Sequence, residues 1–399
     1  MKRPTILQIV PELDTGGAEL SAVEIAGAIV RAGGRAIVLT QGGRLADRVT
    51  EAGGELVDFP AATKNPARIW LNGNAIANIV TREGVDLIHA RSRAPAWSAR
   101  FAARATRKPF VTTYHGAYGE KNAMKRVYNR VMADGDIVIA NSKYTRDLMR
   151  SRYDTPEGRI RVIYRGVDGD DFDAAAIPAE RTEALRRTWG VGADARVILQ
   201  AARLTEWKGQ SVLIAATKLL HQLGRLGDAV VVLAGDAQGR DGYETQIRQE
   251  IAGAGLGGRV LLVGHVADMP AAYSAAHLAI VASTQPEAFG RVGTESQIMG
   301  CPVIATAIGA PPETVLATPA VPEDQRTGWL VPPGDAVALS EAISDALALT
   351  PEERTSLGQR ARAHVLGSFT LDAMKRQTLA VYDELLGTHM AQTFDAAHR

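Results

Sequence analysis

Two carboxylates, Glu287 and Glu295, stand eight positions apart in the run EAFGRVGTE. The first lies on a loop after an apolar, strand-like segment. The second falls inside the second turn of a helix that opens with Phe289, Gly290 and Arg291. Free backbone N–H groups at such a helix start favour an anion, and carboxylates beside it can hold hydroxyls. Residues 283–313 therefore suit a phosphorylated sugar.

Cations that match this chemistry occur earlier, in ARLTEWKG, where Arg203 and Lys208 follow an apolar run and precede a helical pattern. Two cations at a strand-to-helix turn can clamp a diphosphate and offset its charge as it leaves. Either one alone is an ordinary solvated charge. Gly235-Asp236 ends a further apolar run in the same way. Gly16 and Gly17 let backbone amides approach a ligand, or simply make a tight turn. They do not form GxGxxG, and no acidic residue closes a suitable strand about twenty positions on, which disfavours nicotinamide.

His115 ends another strand-like run and precedes Gly116, so its imidazole can donate to a sugar hydroxyl or carbonyl, or serve as a loop histidine. His89 has the same topology and a weaker claim, and His221, His265 and His277 lack companions at metal-ligand spacing. Asp134-Gly135-Asp136 and Asp168-Gly169-Asp170 spell D-x-D, but neither caps a strand beside other ligands, so no metal site is expected. Cys301, the single cysteine, excludes an internal disulfide and reads as a small buried hydrophobe.

Alternating elements must position these groups. Strands are expected over 6–10, 36–40, 55–59, 87–90, 110–114, 137–140 and 161–164, with helical patterns such as 18–32 and 67–83 between them. A second series follows at 197–201, 229–234, 260–263, 279–282 and 302–305, with helices over 208–223 and 243–252. Strand and helix in alternation argue parallel sheets covered on both faces. Residues 168–193, acidic and rich in small side chains, read as a linker, and the tail 388–399 reads as frayed.

With 399 residues, 46% hydrophobic and 22% charged, the chain suits two soluble domains. The net charge of +1 divides into about +5 for residues 1–180 (26 Lys+Arg, 21 Asp+Glu) and −4 for the rest (19 and 23). No signal-like start and no bilayer-length apolar run is seen, which points to a cytoplasmic protein. The small basic excess, without an aromatic array, speaks against nucleic acid.

The ordered set GGAE at 16–19, His115-Gly116, Asn141-Ser142, Gly166-Val167-Asp168, Arg203 with Lys208-Gly209, Ala234-Gly235-Asp236 and EAFGRVGTE resembles the retaining GT-B glycosyltransferases of family 4. GCPVIAT at 300–306, Pro312-Glu313 and GWLVPPGD at 328–335 extend the likeness. It spans the chain to about Leu386. One departure is Tyr164-Arg165, where such proteins often carry Pro-Asn.

The resemblance implies an α/β GT-B fold with two Rossmann-like, doubly wound domains facing a central cleft. The first would cover 1–175, completed by a helix over 371–386, and the second, donor-binding domain would cover 190–366. It implies that Arg203 and Lys208 bind the donor diphosphate and that Glu295 accepts from the nucleotide ribose. Glu287 and the amides of Ala288, Phe289 and Gly290 would hold sugar and phosphate, and His115 would contact the sugar. Gly16 and Gly17 would line the phosphate, with Gly235 and Asp236 also on the donor side.

The expected reaction moves a sugar, with retention, from a nucleoside-diphosphate sugar to a glycan or lipid-linked acceptor, in lipopolysaccharide or polysaccharide assembly. It needs neither cofactor nor metal. Lys121, Lys125, Arg126 and Arg130 recur on one helix with Met124, Val127 and Tyr128, a pattern for an anionic membrane surface on the inner face of the cell membrane, or for a solvated helix face. A sugar-nucleotide 2-epimerase and a non-catalytic sugar-nucleotide-binding protein are the alternatives. Base, sugar, acceptor and oligomeric state are not encoded in these motifs.

Overall fold

Apolar runs without strict alternation form strands buried on both faces, and the computed structural model shows two such sheets. It describes residues 3–14, 16–116, 118–119, 122–239 and 241–397. The chain divides into one unit of residues 1–164 with 372–399 and another of residues 165–371.

In the first unit the strands are β1 (Thr5–Ile9), β2 (Arg35–Thr40), β3 (Glu55–Asp58), β4 (Leu87–Ala90), β5 (Phe110–Tyr114), β6 (Ile137–Ala140) and β7 (Ile160–Val162). They lie in the order β3-β2-β1-β4-β5-β6-β7, with each pair parallel. All five residues of β1 and of β5 are buried, as a sheet covered on both faces requires. Helices Gly17–Arg31, Pro66–Arg82 and Arg93–Thr106 are among its cover. Pro66 opens the second of these, where its missing N–H costs nothing, and Asn65 Oδ1 caps it from Ala67 N at 3.0 Å.

The second unit holds β8 (Val197–Ala201), β9 (Val230–Ala234), β10 (Val260–Gly264), β11 (Leu278–Val281), β12 (Val303–Thr306) and β13 (Trp329–Val331). Their order is β10-β9-β8-β11-β12-β13, again parallel. The direction of winding reverses between β1 and β4 in one sheet and between β8 and β11 in the other. The carboxyl ends of strands at such a reversal are where open α/β sheets bind ligands.

Three expectations need correction. Residues 168–193 are not a plain linker: they contain the helix Ala179–Trp189, which starts after Pro178 and ends at left-handed Gly190. Its buried Trp189 anchors it. The strand β13, three residues after Gly328, was not expected because so short a run carries no periodicity. The tail is not frayed through 397, since helix Met390–Ala396 buries Met390 and Phe394, and Asp383 holds its start through Met390 N at 2.7 Å and Ala391 N at 2.9 Å.

Candidate active site

In the second unit the site grows from two hydrogen-bonded neighbours, β8 and β11. After β8 the chain runs through Arg203 into a short turn, Glu206–Lys208. After β11 it runs through Ser283 to Glu287. The two loops touch backbone to backbone. Gly209, at φ 73°, lies so close to Ala282 that a Cβ would stand 1.9 Å from the Ala282 carbonyl oxygen. Thr284 N donates to Trp207 O at 2.7 Å, and Gln200 Nε2 donates to Lys208 O at 2.7 Å.

This close packing brings Lys208 and Glu287 together. Lys208 Nζ donates to Glu287 Oε1 at 2.5 Å and lies 4.2 Å from the centroid of the Trp207 ring. Ser283 Oγ donates to the same Oε1 at 2.6 Å. Oε2 of Glu287 takes no hydrogen bond among the described residues, so the carboxylate keeps a face for an outside hydroxyl. Glu287 is only 8% exposed, where its charge demands such partners.

Arg203, exposed on the same loop, donates from Nη1 to Gln238 Oε1 at 3.4 Å, a long and weak contact. Gly235 and Asp236 stand next to it after β9. A Cβ on Gly235 would meet the Ala202 carbonyl oxygen at 2.0 Å, and Leu204 N donates to Asp236 O at 3.0 Å. The β9 loop thus fixes the backbone from which Arg203 projects.

Beyond Glu287 the chain adds a bridge to Gly309 and turns through Gly290, which caps the helix Arg291–Ile298 at φ 83°. The helix begins at Arg291 rather than Phe289. Phe289 instead points its ring into the core, 6.0 Å from Phe369 in an edge-to-face pair. Any role for Ala288, Phe289 and Gly290 in binding thus belongs to their backbone. Glu295 serves other partners than Glu287 does. Its Oε1 accepts from Arg291 Nε at 2.9 Å, and its Oε2 from the Tyr273 hydroxyl at 3.1 Å. Burial, reinforced by the Glu295 charge, raises the Tyr273 pKa far above its usual value, which keeps that hydroxyl a donor.

Sequence reasoning missed Ser283, Tyr273, Arg291 and Trp207. Ser283 and Trp207 sat next to recognised residues and could have been found. Tyr273, 22 positions before Glu295, left no local signal.

In the first unit, Gly16 N-caps the helix Gly17–Arg31 and donates to Glu19 Oε2 at 2.6 Å, so the helix start already carries a carboxylate. Neighbouring Thr15 lies outside the described residues. His115 follows β5 and is half-buried. His89 is structural: fully buried, its Nδ1 lies 2.7 Å from the Tyr382 hydroxyl and its Nε2 2.7 Å from Thr113 Oγ1. The D-x-D residues have other work. Asp134 pairs with Arg100 at 2.9 Å, Asp136 accepts from Phe110 N at 2.8 Å, and Asp168 from Asp170 N at 3.0 Å. Burial pushes the Cys301 thiol up to about 12, which suits an inert core residue.

Comparison with known proteins follows the same division. Residues 15–171 fit the family model described as Glycosyltransferase Family 4, and residues 181–364 the one described as Glycosyl transferases group 1. A D-inositol 3-phosphate glycosyltransferase of Salinispora arenicola is 30% identical over 336 residues, covering 82% of this chain and 70% of the relative. Its counterpart in Salinispora tropica is 30% identical, covering 82% and 65%. The chain thus spans about two thirds of the length of these relatives. Among solved structures, a glycosyltransferase from Rickettsia africae ESF-5 is 33% identical with a TM-score of 0.87, covering 98% of this chain and 100% of that one. Anabaena HepE in complex with UDP-glucose is 25% identical with a TM-score of 0.81, covering 96% and 100%.

Proposed function

The chain belongs to glycosyltransferase family 4, with the GT-B fold, and from that membership we propose a retaining, metal-independent transferase that uses a nucleoside-diphosphate sugar. The observation that carries the proposal is the Lys208–Glu287 pair, held with Ser283 where the second sheet reverses its winding. Such a pair offers a cation to a diphosphate and a carboxylate oxygen to a sugar hydroxyl, side by side. Arg203 adds a second, weakly engaged guanidinium on the same loop.

In the proposed reaction the bond from the anomeric carbon to the diphosphate oxygen breaks, and a bond to the acceptor oxygen forms on the same face. The acceptor proton passes to the departing diphosphate. Lys208 and Arg203 stabilise the charge that develops there, which is where preorganised cations accelerate a reaction most. His115 and the Gly16–Gly17 turn keep, within this proposal, the sugar and phosphate roles implied by the family resemblance. No cofactor is required.

UDP-glucose is the first donor to try, because HepE binds it. The relatives named for D-inositol 3-phosphate support a phosphorylated cyclitol as one acceptor to test beside lipopolysaccharide and polysaccharide precursors. Among the described residues no helix is long and apolar enough to cross a membrane. We place the protein in the cytoplasm, touching an anionic membrane surface through Lys125, Arg126 and Arg130; Lys121 lies outside the described residues.

A thermal-shift screen of the purified chain against UDP-, GDP- and ADP-sugars, followed by transfer assays with the stabilising donor, tests the proposal. Stabilisation by a nucleotide sugar and acceptor-dependent release of the nucleoside diphosphate are expected. Epimer formation from donor alone would establish the epimerase instead, and tight binding without turnover the non-catalytic protein.

A further inference from the structure

On the helix Arg93–Thr106, Trp97, Arg100, Phe101 and Arg104 recur at spacings of three and four, so they share one face. The rings of Trp97 and Phe101 lie 6.4 Å apart, and the Arg100 guanidinium is 5.7 Å from the Trp97 centroid. Phe101 packs on Gly73 of the helix Pro66–Arg82, where an added Cβ would come within 2.9 Å of it. About one turn before Gly73, Trp70 stands 60% exposed. On the other side Trp97 Nε1 donates to Tyr128 O at 3.1 Å, next to Val127. Val127 and Met124 are 62% and 82% exposed. Trp70, Phe101, Val127 and Met124 thus leave large apolar side chains uncovered on three helices of one unit.

At the carboxyl end of the same helix face lies a cavity of about 700 Å³, at the amino edge of the first sheet. Arg100, Arg104, Arg107, Lys108 and Arg159 line it, against two carboxylates, Asp134 and Asp136. Asp134 is taken by Arg100, Asp136 by the Phe110 amide, and Lys108 leans to Asp86 at 3.9 Å. The side chains of Arg104, Arg107 and Arg159 meet no carboxylate or carbonyl among the described residues. Arg35 and Arg161, by contrast, are paired: Arg35 holds Glu55 and Glu83, and Arg161 holds Glu384. Unpaired guanidiniums around a concavity, next to exposed aromatic side chains, match a phosphate headgroup whose acyl chains lie against apolar anchors.

We propose that this cavity is a headgroup site for an anionic phospholipid, with Trp70 and Phe101 as its apolar anchors. It rests on the membrane contact proposed above and moves the specific recognition from the helix Ala123–Arg130 to the guanidiniums of Arg104, Arg107 and Arg159. The site lies at the opposite edge of the first sheet from Gly16, Gly17 and His115. Lipid binding and donor binding are therefore separable in the variants.

The test is cosedimentation of the full chain with phosphatidylglycerol vesicles and with neutral phosphatidylcholine vesicles. Arg104→Gln/Arg107→Gln/Arg159→Gln should weaken phosphatidylglycerol binding about tenfold or more, since each basic residue near such a surface contributes several-fold. Trp70→Ser/Phe101→Ser should weaken it as well, and thermal stabilisation by the nucleotide sugar should stay unchanged in both. The three arginines and Trp70 are largely exposed, whereas Phe101 is 39% exposed; single substitutions at each arginine, and Trp70→Ser alone, provide the same readout if a combined variant folds poorly. Wild-type-like binding by the arginine variants would overturn the headgroup site. If Lys125→Gln alone abolished binding while they did not, the basic-helix contact would stand without it. Binding of inorganic diphosphate at these arginines with no vesicle binding would also overturn the lipid assignment.

Discussion

Lys208 reaches Glu287 at 2.5 Å from the loop of a neighbouring strand, and Trp207 lies against the same ammonium. The pair does more than supply a cation. A diphosphate approaching Glu287 alone would meet a buried negative charge; beside Lys208 it meets a neutralised one. Lys208→Ala should lower turnover by about 10²- to 10³-fold, as loss of a charged transition-state contact does. Nucleotide-sugar affinity should fall too, and part of that loss should return in Lys208→Ala/Glu287→Gln, where the repelling charge is gone. Additive effects on affinity in the double-mutant cycle would contradict the coupling.

Glu295 makes a different prediction. Its carboxylate satisfies the fully buried Tyr273 hydroxyl and Arg291. Glu295→Ala should destabilise the chain by about 1–3 kcal/mol, the cost of a buried donor left unpaired, in urea denaturation. Tyr273→Phe removes the donor itself and should cost less.

Gly209 has no room for a methyl group, because the Ala282 carbonyl oxygen occupies the place of its Cβ. Gly209→Ala combines that clash with a left-handed backbone and should cost about 1–3 kcal/mol or more. It should also part the loops that carry Lys208 and Glu287, so turnover measured well below the melting temperature should fall with stability. Gly190→Ala, where an added Cβ meets nothing, provides a control for the backbone conformation alone.

Acid should weaken the fold through histidines kept neutral. Burial, with Arg91 nearby, holds the His89 pKa well below its ordinary 6.5. The unfolded chain then binds a proton below about pH 6.5 that the folded chain refuses, so this stability is complete above that pH and is lost as pH falls. The slope approaches about 1.4 kcal/mol per pH unit for each such group while the folded ring stays neutral. His277, pushed down to about 4, acts with the same sign between 6.5 and that value. Urea midpoints should therefore fall on acidification from about pH 7 to 5, and His277→Asn should flatten the decline.

Removing residues 388–399 should expose the partners of Met390 and Phe394, which are 2% and 1% exposed. The expected loss is about 1.5–3 kcal/mol for each side chain. Turnover at low temperature should persist, since none of these residues is among those assigned to chemistry.

Much of this was legible because the chemistry sits at strand ends. An apolar run followed by Arg203 and Lys208, or by Glu287, places those side chains at a sheet edge whatever the details of packing. The partner of Glu287 was not legible, because a 2.5 Å contact depends on how Gly209 lets two loops meet. Tyr273 was hidden for a similar reason, being a core residue by composition whose hydroxyl matters only in three dimensions. The helix Ala179–Trp189 was missed because its acidic surroundings outweighed the Pro178 and Gly190 boundary signals. The last helix was missed because two buried side chains, Met390 and Phe394, are too few to establish a period.

The first unit is assembled from residues 1–164 and 372–399, whereas the second is one continuous stretch, 165–371. Tyr382, the partner of buried His89, is therefore translated after every residue of the intervening unit. On a ribosome the second sheet can close while the first still lacks its last two helices and holds an imidazole whose Nδ1 has no Tyr382 hydroxyl to meet. Synthesis order and spatial order run opposite ways in this chain, and the nascent first unit is the one that needs shelter.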